Sequence, residues 1–203
     1  YKTIADIEDM AKEKNIPIYE AFEGTHIEDE LLILSPEKQY YLSLLVSSEK
    51  TPLEMSSALQ HDGTLLKFLE SVKDFALNIL ETWDIETLRE SETTSAENET
   101  SVILRGKVDG SGFILTGDAG IGSLNRAIDY MEKIGENIVE DISFYQVPHH
   151  GGRHNVSPSV LNRMLGEKIE KGSSRNKVAF ASVAQNSSHP LKMVTNAYIR
   201  RGV

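Results

Sequence analysis

Phe113-Ile114-Leu115-Thr116-Gly117-Asp118-Ala119 is the stretch on which the reading of this chain turns. Three apolar residues end a buried strand, and a small polar turn carrying one carboxylate closes it. Upstream, Asp109-Gly110-Ser111 joins two apolar runs, 101–108 and 112–116, as a β-hairpin, because Asp-Gly supplies the positive φ of a tight turn. Downstream, Leu124, Ile128, Met131 and Ile134 share one face of a helix expected over 121–138. The same pattern then repeats twice. A strand at 142–147 runs into Pro148-His149-His150-Gly151-Gly152 and a helix at 157–169. A strand at 177–183 runs into Ser187-Ser188-His189-Pro190 and a helix at 190–201. The order β-β-α-β-α-β-α after residue 100 predicts an α/β layered domain with helices covering a sheet.

The N-terminal half is more helical. Ile4, Ile7, Met10 and Ala11 repeat at helical spacing through residue 15, residues 16–21 read as a short strand, and Leu31-Leu32-Ile33-Leu34 as a buried one. Ser35-Pro36-Glu37 starts a further helix, since proline suits a first helical position. An apolar stripe from Leu65 to Trp83 predicts a long amphipathic helix over 64–83. Residues 81–100 hold seven carboxylates against one arginine and read as a solvated loop. The expected organisation is one domain over 1–203 with a helical and acidic insertion over 52–97.

Composition sets limits on this reading. With 203 residues, 39% hydrophobic and 26% charged, the chain has material for a real core, so it is neither a disordered tail nor a small disulfide scaffold. It has no cysteine, which removes thiolate metal sites and cysteine nucleophiles and fits a cytoplasmic location. No apolar run approaches a membrane span. The net charge of −10 disfavours passive coating of nucleic acid, although a bound dication reverses the local field.

Three polar clusters fall at the carboxyl ends of expected strands, where α/β folds place ligands. Asp118, His149, His150 and His189 are donor types that a borderline divalent metal prefers. Each has a plainer reading alone: Asp118 as a turn or helix cap, the histidine pair as a surface loop, His189 as a helix start. Their recurrence at three successive strand ends favours a site. His26 and His61 read as surface or half-buried residues. His154, in the loop after His150, reads as a loop histidine, with contact to a substrate phosphate as the alternative.

Leu115-Thr116-Gly117-Asp118-Ala119, His149-His150-Gly151 and Ser188-His189-Pro190 together resemble the metallo-β-lactamase superfamily, in the branch related to the hydrolase domain of the DNA-uptake channel protein ComEC. The resemblance implies an αββα sandwich and two metal ions, zinc or alternatively manganese. It implies that Asp118 bridges the metals, that His150 is a ligand with His149 on the substrate side or the two exchanged, and that His189 contacts the leaving group or phosphate. Asn98 stands where many members carry a further metal-binding histidine. The family's His-x-His-x-Asp-His stretch is absent from these residues, so the sandwich is expected to be incomplete. Either the stretch lies upstream of Tyr1 or the chain is a degenerate member without metals.

The expected function is hydrolysis of a phosphodiester, or of another small ester, by a metal-bound hydroxide, with His149 and His189 catalytic and Asp118 and His150 on the metal. The alternative is a metal-free interaction module. An incomplete sandwich is expected to expose apolar sheet and to pair with itself as a homodimer or to aggregate. A nucleotide-binding loop at residues 117–122 fails for want of a P-loop lysine.

Overall fold

The structure is a computed structural model that describes residues 2–28, 30–48, 77 and 80–203. It is mixed α/β, with one six-stranded sheet of order β1-β2-β3-β4-β5-β6. The strands are β1 (His26–Ile27), β2 (Leu31–Ser35), β3 (Ile103–Val108), β4 (Ser111–Leu115), β5 (Ile142–Gln146) and β6 (Val178–Phe180). The first four pair antiparallel, and β4, β5 and β6 run parallel. The helices are α1 (Lys2–Glu13), α2 (Lys38–Ser47), α3 (Ala96–Glu99), α4 (Ile121–Lys133), α5 (Ile138–Asp141), α6 (Pro158–Leu165) and α7 (Lys192–Ile199).

The expected hairpin forms in register, Leu104 opposite Leu115 through Val108 opposite Ser111, and turns through Asp109 and Gly110 at φ 51° and 80°. Both left-handed residues match the twist of the flanking strands, which is why Asp-Gly serves here. Three helices are shorter than their apolar periodicity suggests. α4 stops at Lys133 because Gly135, at φ 81°, terminates it, and α6 stops before Gly166 at φ 94°. α7 starts at Lys192, two residues after Pro190. No strand forms over 16–21: Pro17 interrupts that run and lacks the N–H a ladder needs, and Ile16, Ile18 and Tyr19 are exposed.

One sheet face carries the core. Leu32, Leu34, Ile103, Ile114, Ile142 and Tyr145 pack against α4, α6 and α7 through Leu124, Ile128, Met131, Leu161, Met164 and Val194. Each such side chain contributes about 1.5–3 kcal/mol by leaving water. The Tyr145 hydroxyl, buried here, reaches the Met164 carbonyl at 2.9 Å.

The other sheet face is different. Phe113, Phe144 and Val178 stand side by side across β4, β5 and β6, and Leu104 pairs with Leu115 beside them. Phe144 is 37% exposed, Val178 58% and Phe180 55%. An apolar face left open in this way is unusual for a covered sheet.

Residues 81–100 correct the reading of a solvated loop. Glu81 is fully buried on Arg200, and Glu86 meets Arg201 at 2.8 Å and Lys168 at 2.7 Å. Glu90 accepts from the Ser159 amide and hydroxyl at the start of α6. Glu92 meets Arg153 and His154, and Glu99 accepts from the Gly122 and Ser123 amides. These carboxylates are counter-ions and caps for distant parts of the fold. The expected helix over 64–83 lies largely outside the described residues, as do His61 and much of 52–97; Leu77 and Leu80 are helical.

Candidate metal and catalytic site

Because β4, β5 and β6 are parallel, their carboxyl ends share one edge of the sheet, and the three polar clusters meet there. The His149 amide donates to the Gly117 carbonyl at 3.1 Å, and the Leu191 amide to the Gly151 carbonyl at 3.2 Å. Gln146 Oε1 accepts from the Thr116 and Gly117 amides at 2.9 and 3.0 Å. The Asp118 amide donates to Ser101 Oγ at 3.2 Å, and Asn155 Nδ2 donates to the Asp118 carbonyl at 2.9 Å. The Asp118 turn is therefore held by four residues from elsewhere in the chain.

The histidine pair is held in an uncommon backbone. His149 (φ 45°, ψ 51°) and His150 (φ 59°, ψ 11°) are both left-handed, and Gly151 follows at φ 86°. The left-handed region costs a side-chain-bearing residue about 1–2 kcal/mol, and such strain collects at functional sites. Glycine at 151 is required twice over, since a Cβ there would also lie 2.5 Å from Pro190 Cβ. That close approach brings the His189 segment against the histidine pair.

His149 Nδ1 lies 3.6 Å from Asp118 Oδ1, buried and without a hydrogen bond. His150 is exposed, and its Nδ1 donates to the Ser182 carbonyl. The two rings stand 5.6 Å apart between centroids. Of the two, His149 is the one whose unbonded ring nitrogen faces the aspartate.

His149 and His189 line one cavity of about 350 Å³, together with Thr93, Thr94, Ser95, Arg153, His154 and Asn155. Asp118 and His150 stand outside its lining. Glu92, Arg153 and the Thr93–Thr94 hydroxyls escape sequence reasoning, because their partners come from far along the chain. Asn98 spends its side-chain amide on Thr94 Oγ1 at 2.6 Å. The glycines at 117–122 form no phosphate cradle: the Glu99 carboxylate already sits on the Gly122 and Ser123 amides, at 3.2 and 2.7 Å. His26 is exposed in β1, as expected.

The donors fit a borderline divalent ion in kind. A carboxylate faces an unbonded imidazole nitrogen, and the neighbouring His150 has its other nitrogen fixed on a carbonyl, as metal-binding histidines commonly do. They do not suffice in number, for among the described residues no three His, Asp or Glu side chains converge as a metal-holding group. Among the described residues no helix is long and apolar enough to cross a membrane. Comparison of the chain with protein-family models, with curated proteins and with solved structures found no match in any of the three.

Proposed function

We propose that this chain carries part of a divalent-metal hydrolase site of metallo-β-lactamase type, acting on a phosphodiester. The observation that carries the reading is His149 Nδ1, buried and unbonded 3.6 Å from Asp118 Oδ1, on a strained turn beside a histidine-lined cavity. Asp118 and His149 would hold zinc, or alternatively manganese, with His150 the adjacent donor. The remaining ligands would come from the family's His-x-His-x-Asp-His stretch, which these residues lack. A bound ion of this kind supplies an activated water and polarises a phosphoryl oxygen. The chain's own residues do the rest. His189 meets the substrate in the cavity, and the Thr93 and Thr94 hydroxyls offer hydrogen bonds to it. The open apolar face over Phe113, Phe144 and Val178 is, on this reading, where the second sheet of an αββα sandwich packs. Absence of cysteine supports a cytoplasmic setting.

The test is elemental analysis of the full-length protein with Asp118→Ala and His149→Ala variants, alongside hydrolysis of bis(p-nitrophenyl) phosphate. Bound zinc or manganese that both variants lose, with hydrolysis lost in parallel, is the expected result. A folded protein that takes up neither metal and leaves the diester intact overturns the reading.

A second reading has its own observation: a two-donor site beside an open apolar sheet face also suits a metal-free interaction module. That reading gains if the metal-free result is obtained.

A further inference from the structure

Arg153 and His154 are consecutive residues whose side chains both lie within ion-pair distance of the same carboxylate. Arg153 Nη1 lies 2.9 Å from Glu92 Oε1, and His154 Nδ1 lies 2.8 Å from Glu92 Oε2. The arginine side chain is 3% exposed and the glutamate 13%, so the two charges meet in a largely dry setting. His154 is different: its side chain is 35% exposed and lines the cavity that His149 and His189 also line. A carboxylate on Nδ1 holds the proton there and leaves Nε2 to exchange protons with whatever occupies the cavity.

We propose that His154 is a catalytic proton donor in this cavity and that Glu92 is its positioning residue. The inference rests on the hydrolase reading above and adds to it a residue outside the Asp118–His149 pair. In the step assigned to it, the P–O bond to the leaving group breaks as the attacking oxygen forms its own bond to phosphorus. His154 Nε2–H gives its proton to the departing alkoxide oxygen, and the ring is left neutral with its proton on Nδ1, facing Glu92. Solvent returns a proton to Nε2 before the next turnover. No oxidant or further reactant is needed. Because the acid serves an alkoxide, the substrate class is a diester with a poor leaving group, such as a dinucleotide or other alkyl phosphodiester.

His154→Gln in the full-length protein tests this, with two substrates compared. Bis(p-nitrophenyl) phosphate releases a stable phenolate that needs no proton, whereas thymidylyl-thymidine releases an alkoxide that does. The expected result is a loss of about 10²–10⁴-fold on the dinucleotide, with the nitrophenyl ester kept within about threefold. An equal loss on both substrates shows a structural role and overturns the proposal, as does no loss on either. A wild-type protein inactive on both substrates instead removes the hydrolase reading, and this inference falls with it. A second measurement needs no turnover. Long-range ¹H–¹⁵N spectra of the wild-type histidine rings are expected to show neutral His154 protonated on Nδ1; protonation on Nε2 alone overturns the dyad.

Discussion

Glu81 Oε1 and Arg200 Nη2 lie 2.5 Å apart although 119 positions separate them in the chain, and both side chains are out of water. The same guanidinium donates to the Thr82, Trp83 and Ile85 carbonyls. One side chain at the end of α7 therefore holds the whole start of the acidic segment. Removing one member leaves the other as an uncompensated buried charge, which costs far more than the pair contributes net. Glu81→Ala is expected to lose about 3–5 kcal/mol in urea unfolding. Adding Arg200→Met should cost less than the sum of the two single losses. A Glu81→Ala protein within about 1 kcal/mol of wild type would mean that the segment is not anchored here.

Glu86 gives the matching dependence on acid. Burial pushes its carboxyl up, but hydrogen bonds and charges from Arg201 and Lys168 outweigh burial and hold it below its ordinary value. A depressed carboxyl contributes stability above its unfolded pKa and loses it as the pH falls through the folded one. Wild-type unfolding free energy is therefore expected to drop as the pH is lowered from about 5, in the range where carboxylates take up protons. Glu86→Gln should be less stable at neutral pH and should show a flatter acid limb. An acid limb of unchanged slope in the variant would count against this assignment.

Much of the sheet was legible because its signals are local. Phe113-Ile114-Leu115 and Leu31-Leu32-Ile33-Leu34 each form a strand, and Asp109-Gly110 makes the hairpin between β3 and β4. The three polar clusters were legible as strand-end features, and the parallel strands do bring them to one edge. Some misses were also local. Pro17 excludes the expected first strand, and Gly135 and Gly166 end α4 and α6 early, each a backbone preference that outranks apolar periodicity. The acidic segment was illegible for another reason. A run of carboxylates looks solvated until its partners are known, and Arg153, Arg200 and Arg201 come from the far end of the chain. The choice between His149 and His150 was equally beyond the sequence, because two left-handed residues decide which ring faces Asp118.

Gly151 is the residue whose replacement should damage the site most directly. It is left-handed at φ 86°, and Pro190 Cβ occupies the place of the missing side chain at 2.5 Å. Gly151→Ala adds a left-handed penalty of about 1–2 kcal/mol to an overpacking cost of about 1–3 kcal/mol. The expected outcome is a destabilised but folded protein in which the His189 segment is pushed off the histidine pair. Histidine-ring NMR should show His149 and His189 shifting together, with His26 unmoved. If His26 moves as far, the disturbance is global and the local packing account fails.

The open face of the sheet bears on assembly. Phe144, Val178 and Phe180 are more than a third exposed and adjoin one another on β5 and β6, and β6 is the sheet's edge among the described residues. A contiguous apolar patch on a sheet, next to unpaired edge groups, favours association of like faces because both hydrophobic burial and strand pairing are gained. Sedimentation velocity of this chain at increasing concentration is expected to show a growing dimer fraction. Phe144→Glu places a charge at the centre of the patch and leaves the helix-side core untouched. That variant should stay monomeric over the same range with unchanged thermal stability. A wild-type chain that stays monomeric at high concentration would mean that this face is covered by some other part of the protein. The same result would remove the pairing expected of half a sandwich.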